Sequence, residues 1–154
     1  MTSTLVQELI FEGRLDRVAP NPKQSSRMLR SCTQHLETAD ERAGADPSGC
    51  YALLYDAARK AVAAHMLFHG IRPTSRPGAH AAVVMYAEAE LSDIGGDHVA
   101  NLDRMRRTRN DTEYEERPIS EPEVRNDLEH ARSLVQSIIK KLFPPKAKPT
   151  AKKS

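Results

Sequence analysis

The sequence predicts an all-α fold, an up-and-down bundle of four main helices led by a short N-terminal helix. Three observations predict it. Apolar residues recur at three- and four-residue steps through most of the chain. No segment shows the period-two alternation of a half-buried strand. Proline and glycine fall between the periodic stretches instead of inside them. The chain has 154 residues, of which 39% are hydrophobic and 29% charged, with no Trp. That length fits one domain, predicted over residues 1–143, with Leu, Val, Ile, Ala and Met filling its core.

Residues 4–13 read as a short helix stopped by Gly13. Pro20 and Pro22 break the chain. From about Lys23 to Arg42, the residues Met28, Leu29, Cys32, Leu36 and Ala39 mark one amphipathic face. Asp46-Pro-Ser-Gly49 is a turn that also starts a helix. Tyr51, Leu54, Tyr55, Ala58, Val62, His65, Met66 and His69 follow one face of that helix up to Gly70. A loop rich in Pro and Gly, residues 72–78, leads to a helix from Ala79 to about Ser92. Gly95 and Gly96 are predicted to separate it from the next helix, about 97–114. Ser120 is a plausible N-cap and Pro122 fits the first turn of the last helix. That helix places Val124, Leu128, Ala131, Val135, Ile138 and Leu142 on a bundle seam. The segment 144–154 is too polar and proline-rich to pack and reads as a disordered Lys/Pro tail.

Composition narrows the function classes. No apolar run approaches the ~20 residues that span a bilayer, which predicts no membrane span. The first eight residues lack the basic flank and apolar stretch of a signal peptide, so a cytoplasmic location is expected. Cys32 and Cys50 are too few for a disulfide framework and lack metal-ligand spacing. The formal charge is +2, and removing the tail's four lysines leaves the body at −2. A uniformly basic nucleic-acid coat is excluded. The tail lysines read as a solubilising end that adds at most weak, salt-sensitive attraction to nucleic acid. Neither a phosphate-binding glycine loop nor a dinucleotide fingerprint is present, and no cofactor is expected.

The one dense cationic patch in the body is Arg104, Arg106, Arg107 and Arg109. At 100° per residue from Leu102, Met105 lies at about −60°, Arg106 at about +40°, Arg109 at about −20° and Glu113 at about +20°. The inner stripe of Val99, Leu102 and Met105 therefore runs into Arg106, Arg109 and Glu113. Arg104 and Arg107 point outward and need no special explanation. A charge on an inner stripe is expensive unless paired, hydrated or facing a partner. Three readings of Arg109 stand open: an i,i+4 pair with Glu113, a cleft that binds phosphate through the guanidinium fork, or a contact with a second copy across a two-fold axis.

Arg109-Asn110-Asp111-Thr112-Glu113-Tyr114, late on a long helix of an α-bundle, resembles the motif of HEPN-domain proteins. The sequence also carries Tyr55-Asp-Ala-Ala-Arg-Lys60, His69-Gly-Ile-Arg-Pro73 and Gly78-Ala-His80. These occur in the order seen in one bacterial subgroup of that family, and the likeness covers roughly residues 48–142. The resemblance implies a four- or five-helix bundle, commonly a homodimer with its motif helices face to face. Active members are metal-independent ribonucleases, many of them toxin–antitoxin or defence components, often paired with a small nucleotidyltransferase.

Their active motif is Arg, a polar residue, and a His after four to six intervening residues. The Arg neutralises the scissile phosphate while the His moves protons at the ribose 2′-hydroxyl. Here the corresponding positions hold Tyr114, Glu115 and Glu116. Tyr has an ordinary pKa near 10 against about 6.5 for His, which suits a hydrogen-bond donor or general acid better than a general base. Family members without the His are read as binding or scaffold modules.

The carried-over catalytic positions are Arg109, Asn110 and Tyr114. Binding positions are Arg106, Arg107, Glu113, Asp56, Arg59, Arg72 and His80. Asp56 and Arg59 read equally well as an ordinary surface pair. His80 opens a helix after Arg72 and Arg76, where backbone N–H groups favour anions, and offers an imidazole from elsewhere in the fold. His65 and His69 have i,i+4 spacing but no nearby third ligand, so a core or interface role is expected over a metal. The expected partners are a second copy, RNA and a nucleotidyltransferase. The competing expectation is a non-catalytic module for protein interaction or dimerisation, whose oligomer withstands salt and ignores RNA.

Overall fold

The structure, a computed structural model, describes residues 3–146 and is mostly helical. Four helices of 21 to 23 residues dominate: α2 (Pro22–Arg42), α3 (Pro47–Phe68), α5 (Ser92–Tyr114) and α6 (Glu121–Leu142). Two shorter ones accompany them, α1 (Thr4–Phe11) and α4 (Ala79–Glu90). The disordered tail expected from Pro144 onward lies almost wholly outside the described residues.

Local chemistry sets the helix starts. Asn21 accepts the Gln24 N–H at 3.1 Å ahead of Pro22, and Asp46 accepts the Gly49 N–H at 3.1 Å ahead of Pro47. Before α6, Ser120 and Glu123 form a reciprocal capping box, which satisfies two otherwise orphaned donors. Each cap precedes a proline in the first turn, where a missing N–H costs nothing.

The centre of the protein is α3, which packs against α2, α4, α5 and α6. Its alanines Ala57, Ala58, Ala61 and Ala64 are fully buried. Small side chains there let four helices approach one axis, so α3 is buried nearly all round.

One expectation is corrected and one is refined. A two-stranded antiparallel ribbon pairs β1 (Leu15–Arg17) with β2 (Ile71–Pro73), in the register Leu15↔Pro73 and Arg17↔Ile71. Three residues are too few for a period-two pattern to show in sequence, and Pro73 argues against a strand. The ribbon is sealed by Gly70 at φ +79°, where a Cβ would lie 2.7 Å from the Val18 carbonyl oxygen. The break expected at Gly95 and Gly96 is present as a kink: Gly95 has a non-helical φ of −139°, so two helical stretches meet there within α5, the first of them starting at Ser92. The missing side chain lets Leu134 of α6 close in, since its Cδ1 lies 3.2 Å from where a Cβ would stand.

From there α5 and α6 run side by side in opposite senses. Gly95 meets Leu134, His98 meets His130, and Arg104 meets Asp127.

Candidate functional site

The ribbon delivers the loop 74–78 and the start of α4 to the mouth of a cleft between α3 and α5. Tyr55 and Arg59 are one helical turn apart on α3, so both face the same way. Arg106 and Arg109 are related by three residues on α5. Arg59, His80 and Arg106 line a concavity of about 420 Å³ together with Thr74, Ser75 and Arg76 of the loop. The Tyr55 and His80 rings lie 6.3 Å apart between centroids.

Each arginine has an acid on its own helix. Arg59 reaches Asp56 at 3.6 Å, Arg106 bonds Asp103 through Nε and Nη2 at 3.0 and 2.9 Å, and Arg109 meets Glu113 at 2.5 Å. These pairs leave the site incompletely satisfied. Among the described residues, three buried side-chain polar atoms lack a hydrogen-bond partner: the Tyr55 hydroxyl, Arg59 Nε and Arg109 Nε. All three belong to this one region. The Arg109 side chain is only 18% exposed. Buried donors without partners are costly and rare, which makes their concentration at one cleft the informative feature.

The electrostatics follow from this crowding. Partial desolvation by the cleft walls, then the charges of Arg59, Arg109 and Arg106, lower the pKa of His80 despite the opposing effect of Asp56. Its imidazole is neutral at pH 7 and able to accept a proton. Burial raises the Tyr55 hydroxyl to about 12 against the pull of the arginines, so Tyr55 is a hydrogen-bond donor and not a base.

The structure thus brings Asp56, Arg59, His80, Arg106 and Arg109 together from three helices. Asn110 is half-buried beside Arg109 on α5. Other carried-over positions lie apart. Tyr114 is 74% exposed at the end of α5. Arg107 points outward and pairs with Asp103. Glu113 is about half exposed, because the helix wheel continues past the part of α5 that neighbours cover. Arg72 lines an adjoining concavity with Gly13 and Asp16, meeting the Asp16 carboxylate at only 3.9 Å.

One expectation about the patch is incomplete: Arg104 is exposed, as expected, yet it is also held by a buried acid. Arg104 does not simply point to solvent. It forms a two-pronged pair with Asp127 of α6, at 3.0 and 2.5 Å, and Asp127 also accepts the Tyr51 hydroxyl at 2.7 Å. Asp127 is 3% exposed. Burial pushes its carboxyl upward, but the hydrogen bonds from Arg104 and Tyr51 outweigh that and hold it below its ordinary range. The signal was present in the sequence, since Asp127 stands three residues after Val124 and directly before Leu128 on the apolar seam of α6.

His65 is buried in the core with its Nδ1 2.8 Å from the Tyr86 hydroxyl. Burial lowers its pKa to about 4, in keeping with a neutral core histidine. The His69 ring lies tilted beside it, with 4.6 Å between centroids. Among the described residues, no three His, Cys, Asp or Glu side chains cluster as a metal-ligand set. No helix among them is long and apolar enough to cross a membrane. Compared with protein-family models, curated proteins and solved structures, the chain gives no match.

Proposed function

We propose that the chain is a HEPN-type helical domain that binds RNA at the cleft of Arg59, His80, Arg106 and Arg109. The observation that carries this reading is the set of unpartnered buried polar atoms, Arg59 Nε, Arg109 Nε and the Tyr55 hydroxyl, gathered at or beside one cationic cleft. A phosphate oxygen is the acceptor that guanidinium and phenol donors lack, and Arg suits it by fork geometry. An up-and-down arrangement of the four long helices, a homodimer, a nucleotidyltransferase partner and a toxin or defence role belong to the same proposal.

Cleavage follows if the ribose 2′-hydroxyl reaches His80. The neutral imidazole takes the 2′-hydroxyl proton as the oxygen attacks phosphorus. The P–O5′ bond breaks, leaving a 2′,3′-cyclic phosphate, and the departing 5′-oxygen takes a proton from water to become a 5′-hydroxyl. Arg109 and Arg106 balance the charge that builds on the phosphoryl oxygens. In this scheme His80 replaces the histidine that the motif lacks at Tyr114.

A second reading rests on a different observation. Asp56, Asp103 and Glu113 already neutralise the three arginines pairwise, as a non-catalytic interaction module would require.

The deciding experiment incubates labelled single-stranded RNA with the protein in EDTA and reads both anisotropy and cleavage. Wild-type binding that weakens with salt and drops at least tenfold in Arg109→Ala supports the RNA reading. Cleavage lost in His80→Ala assigns the imidazole its role. Binding that is absent, or indifferent to Arg109, leaves the interaction module.

A further inference from the structure

His98 of α5 and His130 of α6 face each other across the antiparallel helix pair, with 3.0 Å between their Nδ1 atoms and 5.2 Å between ring centroids. Both rings are half-buried, and neither belongs to the RNA cleft. The position is fixed from both sides. Gly95 against Leu134 sets the helix approach on one flank, and Arg104 clasping Asp127 holds it on the other.

Two facing imidazole nitrogens have room for one proton between them, because one must donate and the other accept. A metal ion fits the same gap. With Zn–N bonds of about 2.0–2.1 Å, two cis imidazole nitrogens stand about 2.9–3.3 Å apart. The spacing already present is within that range. Asp127, one turn before His130 on α6, feels the charge of His130, while its carboxylate stays committed to Arg104 and Tyr51.

We propose that His98 and His130 form a two-nitrogen site for a divalent transition-metal ion of the imidazole-binding class, such as Zn²⁺, Ni²⁺ or Cu²⁺. The ion takes the place of the shared proton, which moves to the outward Nε2 of the same ring. No third His, Cys, Asp or Glu completes a set among the described residues, so water fills the remaining positions and binding is weaker than at a closed four-ligand site. Bound metal clamps α5, the helix that carries Arg106 and Arg109, to α6.

The test titrates ZnCl₂ into metal-stripped full-length protein by calorimetry, beside His98→Gln, His130→Gln and His69→Gln. One equivalent of Zn²⁺ is expected on the wild type and on His69→Gln, with affinity reduced about tenfold or more in the other two. Thermal midpoints should rise with Zn²⁺ only where the pair is intact. Imidazole ¹⁵N spectra of the wild type should shift at His98 and His130, which keeps the test decisive if a variant fails to fold. Absence of saturable uptake by the wild type overturns the site, as does uptake that survives in both variants or leaves these imidazole signals unmoved.

Discussion

The same helix, α5, carries two arginine clusters that are built to opposite ends. Around Arg104 the donors and acceptors close on one another. Tyr51 and Arg104 both serve Asp127, the acid is buried, and none of the three appears among the unpartnered atoms. Within the next turn and a half, Arg106 and Arg109 meet Arg59, His80 and Tyr55, and three polar atoms of this group are left without partners. Arg-rich sequence is common to both. What separates them is where the acids stand. Asp127 reaches Arg104 from a different helix and locks α5 to α6, whereas Asp56, Asp103 and Glu113 pair within their own helices and lock nothing together. A cluster neutralised within each helix keeps its donors free to turn toward something else.

The sharpest test of this contrast is removal of an acid from the closed cluster. Asp127→Ala should cost about 3 kcal/mol by urea denaturation at pH 7, because it leaves the Tyr51 hydroxyl buried without an acceptor. A loss below about 1 kcal/mol would dissolve the distinction.

Paired tyrosine variants come next. Tyr51→Phe should cost about 1 kcal/mol, the usual net worth of a hydrogen bond. Tyr55→Phe should be neutral or stabilising, since its hydroxyl has no partner to lose, and should weaken RNA binding.

Acidity should divide the clusters again. The carboxyl of Asp127 is held below its unfolded value near 3.9. Its contribution is therefore present above that value and lost as pH falls through the folded one. The stability gap between wild type and Asp127→Asn should narrow below about pH 4. His80 sits below its ordinary value near 6.5, and gains charge as pH drops. RNA affinity should rise as pH falls below about 6.5, and anisotropy on His80→Ala should show no such rise.

The smallest effect is expected at Glu113→Ala. Glu113 is about half exposed and pairs with Arg109 along one helix, and an i,i+4 ion pair is typically worth about 0.3–0.5 kcal/mol, so stability should change little while RNA binding improves as Arg109 is released.

Much of this division was legible in the sequence. The stripe of Val99, Leu102 and Met105 is buried as the helical period requires, and Arg106 and Arg109 continue it as partly covered charges. Asp46 before Pro47 and Ser120 before Pro122 marked two helix starts, because capping is local chemistry, whereas Asn21 caps α2 at a proline that had read as a chain break. What sequence reasoning missed was non-local. Arg104 reads as an outward residue until Asp127, 23 positions away, is placed opposite it. The neighbourhood of Tyr55 and His80 depends on the ribbon, and neither of its three-residue strands carries a readable period. His98 and His130 lay on separate helices with no spacing to connect them.

The ribbon also bears on the order in which the molecule assembles. Pairing Leu15–Arg17 with Ile71–Pro73 closes a loop that contains all of α2 and α3. Closing so long a loop forfeits chain entropy before three residue pairs can repay it. The α2–α3 pair is joined by a short turn between Arg42 and Pro47 and needs no such closure to begin. That pair is therefore expected to form ahead of the ribbon, with His80 joining Arg59 and Arg109 only afterwards. A chain caught between the two steps has its central helix pair and no mouth to its cleft.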